Sequence, residues 1–264
     1  MRIRRLYYVL IIGLLIESCS IDPIVIAHRG ASGYAIENTI SSVDLAMKLD
    51  ADAIEIDVWK TIDDSLIVFH DRDTKRFSND SLVIPASTYQ SLRNLKIHGN
   101  DSIPLLRDVL KRLDKTTTLV IEIKCCWEPG DRGNIIPQLK ELLKSTGTKQ
   151  QVALIAFNID RLITAKKEFP KVPMFWMAYK EEAPQMIVEK LVDARLDGIH
   201  INYDLVKAEL VEQLHQSGLK CWVWTVNDSW SMYKMIKLGV DGITTNYPDR
   251  LLTRINNDRQ PEDS

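Results

Sequence analysis

A (β/α)8 barrel of the TIM type is the fold this sequence predicts, with a small insertion in its second β/α unit. Three observations carry the prediction. Short apolar, β-branched runs recur eight times, an amphipathic segment follows each, and charge gathers at the ends of the runs. The runs lie near 24–28, 53–58, 118–124, 151–156, 172–178, 197–201, 220–226 and 241–245. The helical segments lie near 38–48, 104–114, 134–145, 159–168, 183–193, 204–217, 229–238 and 247–255. Thr118-Leu-Val-Ile-Glu-Ile-Lys124 shows the near-continuous apolar character of a parallel strand covered on both faces. Punctuation agrees. Asn158 and Asn227/Asp228 stand where helix N-caps belong, and Gly218 and Gly239 follow the sixth and seventh helices as stops.

The chain opens with a leader. Arg2, Arg4 and Arg5 precede an uncharged apolar run from Leu6 to Ile16. That run is well short of the roughly 20 residues that span a bilayer, but it matches the core of a secretory signal. Ser18-Cys19-Ser20 follows, so residues 1–18 are expected to be removed and Cys19 to become a lipid-bearing N-terminus, although Glu17 is irregular for such a box. The alternative is an ordinary secretory signal with Cys19 incidental. An anchored protein of the cell envelope, outside the cytoplasm (periplasmic or outer-membrane), is the resulting expectation. What remains is close to the roughly 250 residues of one barrel: a domain over 19–255, with an insertion at 72–102 and a disordered tail at 256–264.

A net charge of −2 gives no electrostatic footprint for nucleic acid. Beyond Cys19 the cysteines are Cys125, Cys126 and Cys221, which suit neither a disulfide framework nor structural zinc. The insertion is polar and weakly periodic, with a helical stretch at Tyr89–Leu95. A long βα insertion belongs above the C-terminal mouth of a barrel, where it shapes a pocket.

The chemistry starts at Ala53-Ile-Glu-Ile-Asp-Val58. Alternation puts Ile54, Ile56 and Val58 on the helix-facing side and turns Glu55 and Asp57 inward. Two carboxylates about 7 Å apart along one buried strand repel each other, and a divalent cation removes that penalty. Glu122 on the adjacent run can supply a third oxygen, and all-oxygen ligands favour Ca2+ or Mg2+. Lys124 shares its face and suits a phosphate. His28 and His70 each end a β run, where a pair of histidines can take and give the protons of a phosphodiester cleavage. Arg29 can fork onto phosphoryl oxygens.

Other residues receive looser roles. Asn38 orients a histidine or closes the first loop, and Glu37 joins the metal shell. His200 ends the sixth run and is a candidate for the mouth, while His98 and His215 read as surface residues. Trp224 or Trp222 faces the mouth, to wall off glycerol, stack on choline or fill the core.

In order, His28-Arg29-Gly30, Glu37-Asn38-Thr39, Glu55-x-Asp57-Val58, His70-Asp71, Ile103-Pro104-x-Leu106, Glu122-x-Lys124, Trp224-Thr225-Val226-Asn227 and Asp241-Gly242-Ile243-x-Thr245-Asn246-x-Pro248 resemble the marks of glycerophosphodiester phosphodiesterases. The resemblance implies a TIM barrel and one divalent cation on Glu55, Asp57 and Glu122. It also implies catalytic His28 and His70, and release of sn-glycerol 3-phosphate and an alcohol from deacylated phospholipids, by way of a cyclic phosphate. Two positions depart from the family pattern. Ile36 replaces the proline before Glu-Asn-Thr, and Ile62-Asp63-Asp64 replaces Lys-Asp-Gly before the second histidine. Two rivals stand beside this reading: a phospholipase or lysophospholipase D-type enzyme on the same barrel, and a lipoprotein that binds phosphodiesters without cleaving them. In each, the partner is a small molecule, and the membrane is met only through the anchor.

Overall fold

The computed structural model describes residues 22–95, 97, 101–124, 134–148 and 151–259. The leader with Cys19, and also His98, Cys125, Cys126 and residues 260–264, lie outside the described residues. Among the described residues, nine strands and nine α-helices follow one another as β1 (Ile24–His28), α1 (Ile40–Lys48), β2 (Ala53–Lys60), β3 (Leu66–Val68), α2 (Tyr89–Arg93), α3 (Leu106–Leu110), β4 (Thr118–Ile123), α4 (Ile136–Thr146), β5 (Val152–Ala156), α5 (Ile159–Glu168), β6 (Met174–Ala178), α6 (Pro184–Asp193), β7 (Gly198–Asn202), α7 (Ala208–Gln216), β8 (Lys220–Trp224), α8 (Ser229–Lys237), β9 (Gly242–Thr245) and α9 (Pro248–Arg259). Eight strands are parallel neighbours in the order β1-β9-β8-β7-β6-β5-β4-β2, and pairing of β1 with β2 closes the barrel.

Side-chain alternation divides the core. Ile54, Ile56 and Val58 pack outward with Leu119, Ile121, Leu139 and Leu162 in the layer between barrel and helices. Ile26, Ala53, Val120, Ala153, Ile155, Phe175, Met177 and Trp222 point inward and fill the barrel as an apolar floor. Trp222 stacks on Phe175 with ring centroids 3.6 Å apart. Gly242 makes room for it, since a Cβ there would lie 2.6 Å from the indole. The expected caps are present: Asn158 accepts from the Asp160 and Arg161 amides, and Asp228 from that of Ser231.

The structure corrects four sequence expectations. Leu66–Val68 forms an extra antiparallel strand on the end of β2, with Val58 opposite Val68. The insertion is less polar than its sequence suggests, because Ile84, Leu92, Leu95 and Ile97 bury themselves with Trp59, Ile67, Phe69 and Ile103 in a small core of their own. Helix α7 starts late, because Asn202 caps a 3-10 turn at Tyr203–Leu205. At the other end, residues 256–259 are helical rather than frayed. Ile255 is buried and Lys237 pairs with Asp258 at 2.8 Å, which ties the last turn of α9 to α8.

The N-terminal floor of the barrel carries a repeated device. Asp52, Asp197 and Asp241 each stand just before a strand, and each accepts an amide from the preceding barrel strand. Val25 donates to Asp52 at 2.7 Å, Met174 to Asp197 at 2.9 Å and Cys221 to Asp241 at 2.8 Å. Lys166 and His215 reach two of the same carboxylates, at 2.7 and 2.9 Å. These bonds give strand-end amides charged acceptors where the ladder has run out. We predict that Asp197→Ala or Asp241→Ala each lowers stability by about 1–3 kcal/mol, read as a fall in the urea midpoint. An unchanged midpoint in both would show that the carboxylates are ornamental.

Candidate active site

Strand register assembles the site. Parallel pairing sets His28 beside Glu55 and Asp57 beside Glu122. All four therefore point inward at the C-terminal end of the barrel, above the apolar floor. Glu55, Asp57 and Glu122 are buried and offer oxygens within 4.8 Å of one another. Burial raises the Glu55 carboxyl well above its ordinary pKa, reinforced by Asp57 and Glu122. Burial also raises Glu122, to about 7, with Lys124 opposing and Asp57 reinforcing. Asp57 goes the other way: burial would raise it, but Lys124 and Arg29 outweigh that and hold it low.

The triad fits a hard divalent cation. Five carboxylates (Glu37, Glu55, Asp57, Asp71 and Glu122) share the cluster with three permanent cations, Arg29, Arg76 and Lys124. Among the described residues, ionising all five would leave two negative charges over, the charge that one such ion would balance. Asp57 Oδ1 is buried without a hydrogen bond, although Lys124 Nζ lies 3.2 Å away. The donor set is oxygen alone, which suits Mg2+ or Ca2+ chemistry.

Both histidines are held through Nδ1. His28 Nδ1 lies 2.7 Å from Asn246 Oδ1, an atom that also accepts from Ser32 and can only accept. His70 Nδ1 lies 2.7 Å from Asp71 Oδ1. Each ring therefore carries its proton on Nδ1 and keeps Nε2 as the free base. Burial, helped by Arg29, lowers the pKa of His28 to about 4, and burial also lowers that of His70.

The β1 loop is bent to serve the carboxylates. Arg29 and Asn38 both occupy the left-handed region, with φ of 53° and 58°. Gly30 also has positive φ, and a Cβ there would fall 2.4 Å from the Ser42 hydroxyl. This tight path lets the Arg29 amide donate to Glu55 at 2.9 Å while its guanidinium reaches Glu37 at 2.8 Å and Asp57 at 3.4 Å. Lys124 reaches Glu122 at 2.8 Å. Such outlying backbone at a charged cluster is strain held in place for function.

Several roles differ from expectation. Asn38 closes the first loop, its backbone amide donating to Arg29 O at 2.9 Å, but it orients a carboxylate and not a histidine: its side-chain amide donates to Asp57 Oδ2 at 2.8 Å, and it accepts from the Asp57 amide at 3.2 Å. Glu37 stands outside the metal triad, because Arg29 and Arg76 claim both its oxygens. His200 lies below the mouth, fully buried against Thr244 at 2.9 Å. His215 agrees with its surface reading: it is exposed in the last turn of α7. Trp224 rather than Trp222 reaches the mouth; its indole N–H donates to His200 O at 3.0 Å, and its ring packs edge-on against Phe157.

Sequence reasoning missed two residues. Asn246 lay in a fragment that carried only the family resemblance, and its position directly after β9, the neighbour of β1, was the available signal. Arg76 lay in the insertion, which was expected above the mouth, but nothing in the sequence pattern singled out this residue.

The comparisons with known proteins agree with this geometry. The model of the glycerophosphoryl diester phosphodiesterase family matches residues 28–250. A glycerophosphodiester phosphodiesterase of Caldanaerobacter subterraneus subsp. tengcongensis is 32% identical over an alignment of 244 residues that covers 88% of this chain and 97% of that one. A glycerophosphodiester phosphodiesterase structure from Parabacteroides distasonis superposes with a TM-score of 0.80 at 27% identity, covering 90% and 99% of the two chains. A phosphodiesterase of Oleispira antarctica, solved with the product sn-glycerol-3-phosphate, gives a TM-score of 0.75 at 25% identity over 89% and 97%. Shared sequence across the whole barrel, joined to a carboxylate triad flanked by two Nδ1-held histidines, places this chain in the glycerophosphoryl diester phosphodiesterase family.

Proposed function

We propose that this protein hydrolyses glycerophosphodiesters to sn-glycerol 3-phosphate and an alcohol, with His28 and His70 as the proton-transfer pair. The observation that carries the reading is the common state of the two rings: Nδ1 engaged by an oxygen acceptor and Nε2 left free. A divalent cation on Glu55, Asp57 and Glu122 would neutralise phosphoryl charge and lower the pKa of an oxygen it binds. The donor set supports Mg2+ or Ca2+. Arg29 and Lys124, fixed at the rim of the triad, are the cations available to phosphoryl oxygens.

The glycerol hydroxyl beside the phosphorylated carbon is the favoured nucleophile, because intramolecular attack has a large effective-molarity advantage over water. One histidine takes its proton at Nε2 while the other, having taken up a proton at its free Nε2 as the anionic substrate binds, gives that proton to the departing alcohol. A 1,2-cyclic phosphate results. Water then opens the ring with the two roles exchanged, which restores both histidines to their starting states.

The substrate reading favours a soluble head-group diester over an intact lipid, since most apolar residues of the insertion turn into its own core. A lysophospholipase D-type activity has one observation on its side: Ile62, Val83 and Tyr179 are exposed on loops around the mouth. Comparing glycerophosphocholine with lysophosphatidylcholine, with and without each metal, separates the two. We expect glycerol 3-phosphate from the first substrate, loss of turnover on chelation, and at least about 10²-fold lower kcat in His28→Ala and His70→Ala. Full activity after chelation, or from either variant, would remove that group from the mechanism. A diester lacking the neighbouring hydroxyl should be cleaved far more slowly; a rate equal to the parent's points to direct attack by water.

For localisation, Cys19 and the direction of β1 support a lipid-anchored protein of the cell envelope. From Cys19 to the start of β1 the chain reaches at most about 17 Å, and β1 starts on the floor of the barrel. A lipid there holds the floor against the membrane and turns the mouth toward the aqueous side, which supports a dissolved substrate. Intact mass of the mature protein should show acyl chains on Cys19, and Cys19→Ala should move the enzyme to the soluble fraction. Retention of that variant on membranes counts against the anchor.

A further inference from the structure

Arg76 ties the insertion to the first loop. Its Nε donates to Asp71 Oδ2 at 2.6 Å, and its two terminal nitrogens donate to Glu37 Oε2 and Oε1 at 3.0 and 2.7 Å. Asp71 turns its other oxygen to His70 Nδ1, and Glu37 Oε1 also receives Arg29. One guanidinium therefore joins a histidine's carboxylate on the β3 loop to the arginine that braces Glu55 and Asp57 on the β1 loop. It is held from behind, with its Cζ 4.3 Å from the centre of the Phe77 ring, which packs edge-on against Phe69. A bridge between Asp73 and Val83 closes the segment that carries it.

We propose that Arg76 is a positioning residue for His70. Asp71 is 29% exposed at its side chain, so without a second partner its carboxylate is free to turn to water. With Arg76 on Oδ2, Oδ1 stays aimed at Nδ1 and the free base stays on Nε2, facing the site. Asp71 is itself held below its ordinary pKa against burial, by hydrogen bonds from Arg76 and His70, and so remains an acceptor. The insertion thus acts as part of the catalytic apparatus. A lysine cannot replace this arginine, because one ammonium cannot serve three oxygens on two loops at once. An ordinary surface ion pair would behave otherwise: at 44% side-chain exposure its removal would change little.

This inference rests on the proposed role of His70, and the test reads the ring separately from turnover. In the full-length, metal-loaded protein, Arg76→Ala and Arg76→Lys should both lower kcat about 10- to 100-fold with KM nearly unchanged, the usual cost of misplacing a reacting group. Thermal midpoints should stay close to the parent's. In 15N spectra of labelled histidine, His70 should change from one Nδ1-protonated tautomer to a mixture, while His28, held by Asn246, keeps its signal. A His70 signal unmoved by Arg76→Ala overturns the proposal, even if turnover falls. So does full activity in Arg76→Lys. If the parent protein lacks phosphodiesterase activity, the functional reading fails, and the tautomer measurement still reports on Arg76.

Discussion

Mutual repulsion among Glu55, Asp57 and Glu122 is the constraint on which the site depends. Parallel strands have no freedom to separate them, since register fixes Asp57 next to Glu122 and alternation turns Glu55 to the same side. Three buried carboxylates so placed cannot all ionise unaided, and burial pushes Glu55 and Glu122 toward their neutral forms. The surroundings answer in kind. Arg29 and Lys124 lean in from two loops, Asn38 supplies an amide, and the three carboxylates are close enough together to hold a metal ion. The unusual backbone at Arg29 and Asn38 follows from this need, because an ordinary turn would not bring the amide and guanidinium of one residue to two adjacent carboxylates.

The same pressure orders the outer groups. Arg29 needs a counter-charge that does not compete for the triad, and Glu37 supplies it; Glu37 in turn needs Arg76. Charges alternate outward from the barrel axis, each pair less buried than the last. Low dielectric at the centre makes the inner interactions strong, while solvent screens the outer ones. The outer pairs therefore contribute geometry more than energy.

Much of this was legible in the sequence. The eight runs and their caps gave the barrel because period and punctuation are local properties, and Asn158, Asp228, Gly218 and Gly239 stand where they were expected. Glu55, Asp57 and Glu122 were legible because alternation on a strand is strict. Asn38, Glu37 and Asn246 were not. Their roles depend on which strand closes next to which, and β1 meets β9 only when the barrel shuts. Arg76 was hidden for a related reason: its insertion folds on a small core whose apolar residues are scattered through polar sequence.

Residue type alone could not have separated the two ends of the barrel. Asp52 stands just before β2 and Asp57 lies within it, five residues on, yet they do opposite work. On the floor, Asp52 meets an unpaired strand amide and is satisfied by it, as Asp197 and Asp241 are by theirs. At the mouth, Asp57 faces other carboxylates and keeps one oxygen without a hydrogen bond. The direction of the strand decides this. Amides unserved by the ladder at the N-terminal end fix an aspartate for stability, whereas the C-terminal end opens onto loops that can deliver arginine, asparagine and histidine. Between them, the apolar floor of Ile26, Val120, Phe175 and Trp222 keeps water from beneath the cluster. The cost of burying charge there is thereby turned to use, since a phosphoryl group entering the mouth meets fixed charges that water does not weaken.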